Sequence, residues 1–483
     1  MHEDTRNVTK AYLKDLFSTT QLPPHHFAIP ELVEEGDFPS FSSHIESESS
    51  QTTVEVCGDT TNTINTCLCK NQGLPLFNLY TRLPCSPSDP LKTLLNNALF
   101  GDYLLAQNEK LMEHWYFRPA SSHKKRLQQG IMSRLQAPLA SFARWIALVG
   151  MGICEAFLTE DLSQVQLQYL WIKHIEGTLR HELLHDTTSD KIQERRSDWV
   201  HISLLKTMVL HSSNTYQLLR SITPTFLQLV YSDPTLWPRD CNPTCVPLSK
   251  ILCSEAHELA YFAYIDCACA MTLGLPQQLE YDTTPYPWLS DDSSHLWAHG
   301  SPAEFQLVLA DINACRDKSP QSRHWRDIEK WLVEWHSQPA QHMFTESWMT
   351  VAWYAVQESW RLALLAYLYM AVCNASSDDS RIQTCVKQIL QVVGTVKKRK
   401  SSGAEVSFLI QYLIVGICGR SEVHRAMVRQ VLAGNKDTRF WILRGSDFVP
   451  VLDHLWHGAG AGGRPVTWSD YMYSRATMLP VVV

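Results

Sequence analysis

The chain has 483 residues, 45% of them hydrophobic, and a formal net charge of −7. That length holds one large domain or two to three ordinary ones, and that apolar content is enough for a sizeable core. Residues 1–56 carry ten acids and three bases while the remainder carries 39 of each, so the body lacks the cationic excess that binds phosphate backbones, and specific DNA binding by this chain alone is not expected.

Residues 1–85 read as an acidic, Ser/Thr-rich, largely disordered arm, because Phe41–Thr66 in particular has few large apolar groups. Ordered structure is expected over 86–483, with Ser88 or Asp89 capping a first helix and Pro90 in its first turn. Apolar residues at three- and four-residue spacing predict helices near 90–116, 122–135, 138–159, 162–186, 192–213 and 215–231. Pro234, Pro238 and Pro243 mark Asp233–Val246 as a loop. Ser249–Leu273 reads as one strongly apolar helix, stopped by Gly274 and Pro276. After a Pro- and Asp-rich loop at Thr283–Ser294, helices return at 301–315 and 323–337. Four more helical runs follow, Glu346–Cys373, Ser376–Lys400, Ser407–Leu432 and Thr438–Trp456, divided by short polar breaks. No apolar alternation is long enough for a sheet. The expected fold is all-α, a large multi-helical domain of stacked antiparallel helices behind a disordered N-terminal arm.

Fourteen cysteines are scattered without a disulfide framework. Cys154, Cys373, Cys385 and Cys418 sit in apolar helical runs, where thiols act as small hydrophobes, and this usage suits a reducing compartment, nucleus or cytoplasm. Met1-His2-Glu3-Asp4 does not start a signal peptide. The longest apolar runs, Trp145–Ile153 and Leu362–Cys373, are too short to cross a bilayer, so no membrane partner is expected.

The sharpest chemical motif is His181-Glu182-Leu183-Leu184-His185, an HExxH sequence. On a helix its two histidines share one face and can bind zinc, with the glutamate as general base. Leu167, Trp171, Ile172, Ile175, Leu179 and Leu183 form the apolar stripe of this helix. At about 100° per residue, His181 and His185 fall opposite that stripe beside His174 and Thr178, with Glu182 nearer the buried boundary. Both histidines therefore face water, and no downstream glutamate stands out as a third ligand. The motif is read as a decoy. No catalytic residue, metal ligand or cofactor is assigned.

Gly458-Ala459-Gly460-Ala461-Gly462-Gly463 matches GxGxxG, but a dinucleotide site needs a strand before it and a helix after it. A helix end precedes this run and Arg464-Pro465 follows, so it reads as a helix–helix loop. The pairs Cys67/Cys69, Cys241/Cys245 and Cys267/Cys269 are not CxxC motifs and have no partner pair at zinc-ribbon spacing. Asp291-Asp292 and Asp378-Asp379 precede helices and read as caps. Lys397-Lys398-Arg399-Lys400 is a basic tetrad that suits nuclear import and equally suits a helix C-terminus.

The run Gln357-Glu358-Ser359-Trp360-Arg361 leading into Leu364, Leu365 and Tyr367 resembles the C-terminal half of the fungal-specific transcription factor domain. So do Phe440-Trp441 and Phe448-Val449-Pro450-Val451-Leu452. Arg144-Trp145, Asp198-Trp199 and Asp266 with Gly274-Leu275-Pro276 also fit, and the resemblance extends from about Cys85 to the C-terminus. That domain is the helical regulatory region of fungal zinc-cluster regulators. The resemblance implies a transcriptional regulator in the nucleus, working through protein contacts (transcription machinery, a DNA-binding regulator or self-association) or a small effector. The six-cysteine zinc cluster that reads DNA in such regulators is absent from these residues. A helical scaffold or adaptor unrelated to transcription is the second reading, and an HExxH zinc hydrolase a distant third.

Overall fold

The computed structural model describes residues 98–481, apart from 114–115, 118–120, 137–140, 160–162, 164, 186–188, 240, 255, 287–300, 338–343, 345, 397–405 and 435–442. The expected arm, its boundary near residue 85, Cys67, Cys69, Asp291-Asp292, the tetrad Lys397–Lys400 and Phe440-Trp441 lie outside the described residues. Among the described residues sixteen α-helices form, against two strands of two residues each, so the fold is all-α.

Six helices come first: α1 (Ala98–Glu113), α2 (Ser121–Gln136), α3 (Ser141–Thr159), α4 (Val165–Leu184), α5 (Ser189–Val209) and α6 (Thr215–Ser232). Short connections set consecutive helices antiparallel. α2 and α4 pack on α3, α5 on α4, and α6 on α5. Trp145 of α3 stacks on Trp171 of α4 with ring centroids 5.1 Å apart.

The expectation of one helix over Ser249–Leu273 is corrected. α7 (Leu248–Leu252) stops, and α8 (His257–Leu273) starts afresh. The Ser254 hydroxyl accepts the Ala256 N–H at 3.1 Å, a local turn that competes with the helical ladder. Just upstream, β1 (Val246–Pro247) pairs in parallel with β2 (Tyr281–Asp282), pinning the chain on both sides of α8. From Glu258 to Leu273 every residue of α8 except Tyr261 is buried. The helix ends at Gly274, whose φ of 61° is left-handed. A Cβ there would lie 1.9 Å from the Met472 sulfur, so backbone and packing both demand glycine.

Eight helices complete the stack: α9 (Ala303–Arg316), α10 (Trp325–Glu334), α11 (Ser347–Ala371), α12 (Ser380–Val393), α13 (Leu409–Cys418), α14 (Glu422–Ala433), α15 (Gly445–His457) and α16 (Trp468–Met478). His324 and Asp379 cap α10 and α12 by accepting the Arg326 and Arg381 N–H groups. Thr467 and Asp470 form a capping box on α16. The run Ser407–Leu432 breaks at Gly419-Arg420 into α13 and α14. α16 adds to the expected set. Its buried residues are Trp468, Tyr471, Ser474 and Arg475, so two of its four inward positions are polar and its apolar period is faint.

α11 is the spine of this half and packs on α9, α10, α12 and α13. The chain also closes on itself. The Tyr471 hydroxyl of α16 donates to the Thr272 carbonyl at the end of α8 over 2.6 Å. Arg444, just before α15, donates to the Val209 carbonyl at 3.0 Å, and Asp447 accepts the Ser212 N–H at 3.1 Å, tying α15 to the α5–α6 corner.

Trp360 of α11 is 1% exposed. Trp360→Ala is expected to cost about 3–5 kcal/mol, measured by denaturant or thermal unfolding. A midpoint equal to wild type would refute a structural role for the ring.

Candidate functional site

His181 is exposed on the last turn of α4, and His185 is exposed one residue beyond the helix end at Leu184. Their rings stack at 4.2 Å between centroids, and His185 Nδ1 is 3.0 Å from the His181 carbonyl oxygen. Among the described residues no three His, Cys, Asp or Glu side chains gather where they could hold a metal ion.

Glu182, the would-be general base, turns the other way. It accepts a hydrogen bond from Arg195 Nε at 2.8 Å. Arg195 is buried over the Phe142 ring and reaches Asp198 at 3.5 Å. Asp198 lies 3.5 Å from Arg134, which donates to Glu258 at 2.8 Å and to the Ser197 hydroxyl at 2.9 Å. Five charged groups from α2, α4, α5 and α8 thus form one chain leading into the core. The two deepest carboxylates respond in opposite senses. Burial raises the Asp198 pKa to about 6 against the pull of Arg134 and Arg195. Burial acts most strongly on Glu258, upward, but the charges and hydrogen bonds around it, Arg134 first and the Ser197 hydroxyl among them, together outweigh it and hold the group at about 2. Burial drives His201 of α5 down to about 3, so this imidazole is neutral.

A second polar cluster surrounds the other end of α8. Arg316, the last residue of α9, donates to the Ala270 and Leu275 carbonyls at 2.7 Å each and to the Tyr367 hydroxyl at 2.8 Å. Asp317 accepts two further bonds from the same guanidinium, at 2.8 and 2.7 Å. Tyr367 donates onward to Asn313 Oδ1 at 2.7 Å, and Asn313 Nδ2 reaches the Cys267 carbonyl at 3.0 Å. Asp266, 1% exposed, accepts the Gln278 N–H and the Tyr281 hydroxyl, both at 2.9 Å. Among the described residues no cation pairs with it, and burial raises its pKa to about 7. Asp311 nearby is pushed by burial to about 6, opposed by Thr283 and Arg323.

The glycine run after α15 has the wrong polarity for a phosphate. Its N–H groups are spent on backbone carbonyls, Gly458 on His454 and Gly460 on Leu455 at 2.9 Å each, and its own carbonyls accept from arginines: Arg425 donates to Gly460 at 2.7 Å, Arg420 to Gly463 at 2.9 Å and Arg464 to Gly458 at 2.8 Å. Cys267 and Cys269 are buried in α8, and among the described residues no cysteine is in a disulfide. No helix among the described residues is long and apolar enough to cross a membrane. What the arrangement supplies chemically among the described residues is two buried hydrogen-bonded networks, each linking several helices. Sequence reading missed both networks, although charged residues inside the apolar run His257–Leu273, Glu258 and Asp266, were a usable signal.

A family model described as the fungal specific transcription factor domain matches residues 236–479, which span α7 to α16 and the whole Arg316 cluster. No curated protein and no solved structure matches the chain.

Asp266 yields a pH prediction. The native state keeps its proton up to about pH 7, whereas the unfolded chain releases it near the ordinary value of 3.8. Stability from this group is therefore full at low pH and lost as pH rises between those values. Asp266→Asn should reduce the fall in thermal midpoint between about pH 5 and about pH 8. An unreduced fall would show that Asp266 does not titrate there. The double change His181→Ala, His185→Ala should leave the thermal midpoint and the zinc content after dialysis at wild-type values. Stoichiometric zinc held by wild type and lost in the double variant would revive the hydrolase reading.

Proposed function

The chain belongs to the fungal specific transcription factor domain family, and on that premise we propose that it is a transcriptional regulator acting in the nucleus. It works through protein contacts, or through a small effector, and not through catalysis or specific DNA contacts of its own. The family is regulatory and non-enzymatic. The observation that carries this reading is the extent of the match. Residues 236–479 take in α8, α11 and the polar cluster of Asp266, Asn313, Arg316, Tyr367 and Tyr471 around the end of α8.

Two sequence features support the finer points. These 483 residues contain no six-cysteine zinc cluster, and acids and bases balance after residue 56, which favours target recognition through a partner over specific DNA contacts by these residues. The partner is a DNA-binding regulator or the transcription machinery, with self-association as a further contact. Lys397, Lys398, Arg399 and Lys400 supply the nuclear import signal.

The tagged protein is expected in the nucleus and enriched at a limited set of promoters by chromatin occupancy. Replacing the four basic residues with alanine should move it to the cytoplasm. A cytoplasmic wild-type protein with no promoter enrichment would favour the scaffold reading instead.

A further inference from the structure

The outer face of α4 repeats every seven residues. Leu170, Gly177 and Leu184 lie seven apart, with Lys173-His174 and Arg180-His181 in matching positions between them. At about 100° per residue the two leucines and the glycine fall along one line, with Lys173 and Arg180 on one flank and His174 and His181 on the other. All of these residues are exposed, Leu170 by 60% and Leu184 by 75%. The opposite face packs on α3 and α5.

Three features of this face lack an internal explanation. Two leucines stand in water where the helix has polar neighbours. Gly177 sits mid-helix, where glycine weakens the helix, yet a Cβ there would meet nothing within 4 Å. The charge is also one-sided. The helix has two acids, Glu176 and Glu182, and both are engaged by inward cations, Lys206 and Arg195. Lys173 and Arg180 remain on the outside, and among the described residues no carboxylate pairs with either. A shallow depression lies over Gly177, lined by Lys173, His174, Thr178 and His181.

We propose that this face of α4 is a docking site for an acidic amphipathic helix of a partner protein. A seven-residue repeat of apolar positions is the seam that a second helix packs against. Leu170 and Leu184, about 21 Å apart along the axis, hold its apolar side chains. Gly177 between them lets the two backbones approach where the helices cross. Carboxylates on the incoming helix meet Lys173 and Arg180 on one side and the His174–His181 pair on the other, so charge complementarity selects an acidic partner over a basic one. The inference rests on the reading of the chain as a regulator working through protein contacts. The assay below tests the surface while chromatin occupancy tests that reading, so either can fail alone.

The test is fluorescence anisotropy of the full chain with a labelled helical peptide of about 18 residues, leucines at heptad spacing and Asp or Glu beside them. A counterpart with Lys replacing the acids is the control. The acidic peptide is expected to bind, more weakly as salt rises. Lys173→Glu with Arg180→Glu, and separately Gly177→Trp, should each weaken it at least about tenfold without loss of folding, the Gly177 variant melting no lower than wild type because glycine weakens a helix. Equal binding of the two peptides, or unchanged affinity in both variants, would overturn the proposal. So would a dimer in sedimentation that these substitutions dissolve, since a second copy would then cover the face.

Discussion

A buried guanidinium holds the core of this fold together. Arg316 sits where α9 ends and α8 ends, and it donates to two carbonyls there, to Tyr367 of α11 and to Asp317. Removing a charge from water is costly, and it is offset only when its donors are satisfied. Here the fork-shaped donor set of arginine matches a carboxylate on one side and helix-terminal carbonyls on the other. A lysine could not fill those positions at once. The Ala270 carbonyl lies in the last turn of α8 and carries the negative end of its dipole, so the cation stands where the helix field favours it.

The other end of α8 is the mirror case. Glu258 lies in its first turn, beside the positive end of the dipole, and Arg134 from α2 completes the pair. A helix buried along almost its whole length is thereby fixed at both ends by charge, and each fixing group comes from a different part of the chain. That is why α8 can join the two halves of the stack. α5 and α6 pack on it from the first half and α9 from the second, and Tyr471 of α16 bonds its final turn. The close seating of Met472 on Gly274 fixes the distance of α16 from this centre.

Helix number and order were largely legible because apolar period reports directly on burial. α3, α11 and α13 are cases where long apolar runs leave little choice. What sequence missed has local causes. The stop between α7 and α8 is made by one hydroxyl, Ser254, inside a run whose apolar pattern continues through it. α16 was hidden because its inward residues include Ser474 and Arg475, which are buried among hydrogen-bonding groups and not in an apolar stripe. The Arg316 cluster joins residues 270, 313 and 367, and no spacing within the chain encodes such a meeting. Asp266 with Gly274-Leu275-Pro276 was visible as part of the family resemblance. Its role as a buried carboxyl with a raised pKa follows only from the packing.

The HExxH sequence shows the limit of motif reading most plainly. Its spacing places two imidazoles on one helix face, as a zinc site would require. The phase of the helix then turns that face outward and sends Glu182 inward to Arg195. The same rotation that removes a general base from the histidines also draws the Glu182 carboxylate away from them. What remains outside α4 is cationic and partly apolar, although the body of the chain is charge-balanced. The ionic chain from Glu182 to Glu258 therefore does two things. It ties four helices together, and by drawing the carboxylate of Glu182 to the inner side it leaves the outer face of α4 with a single sign of charge.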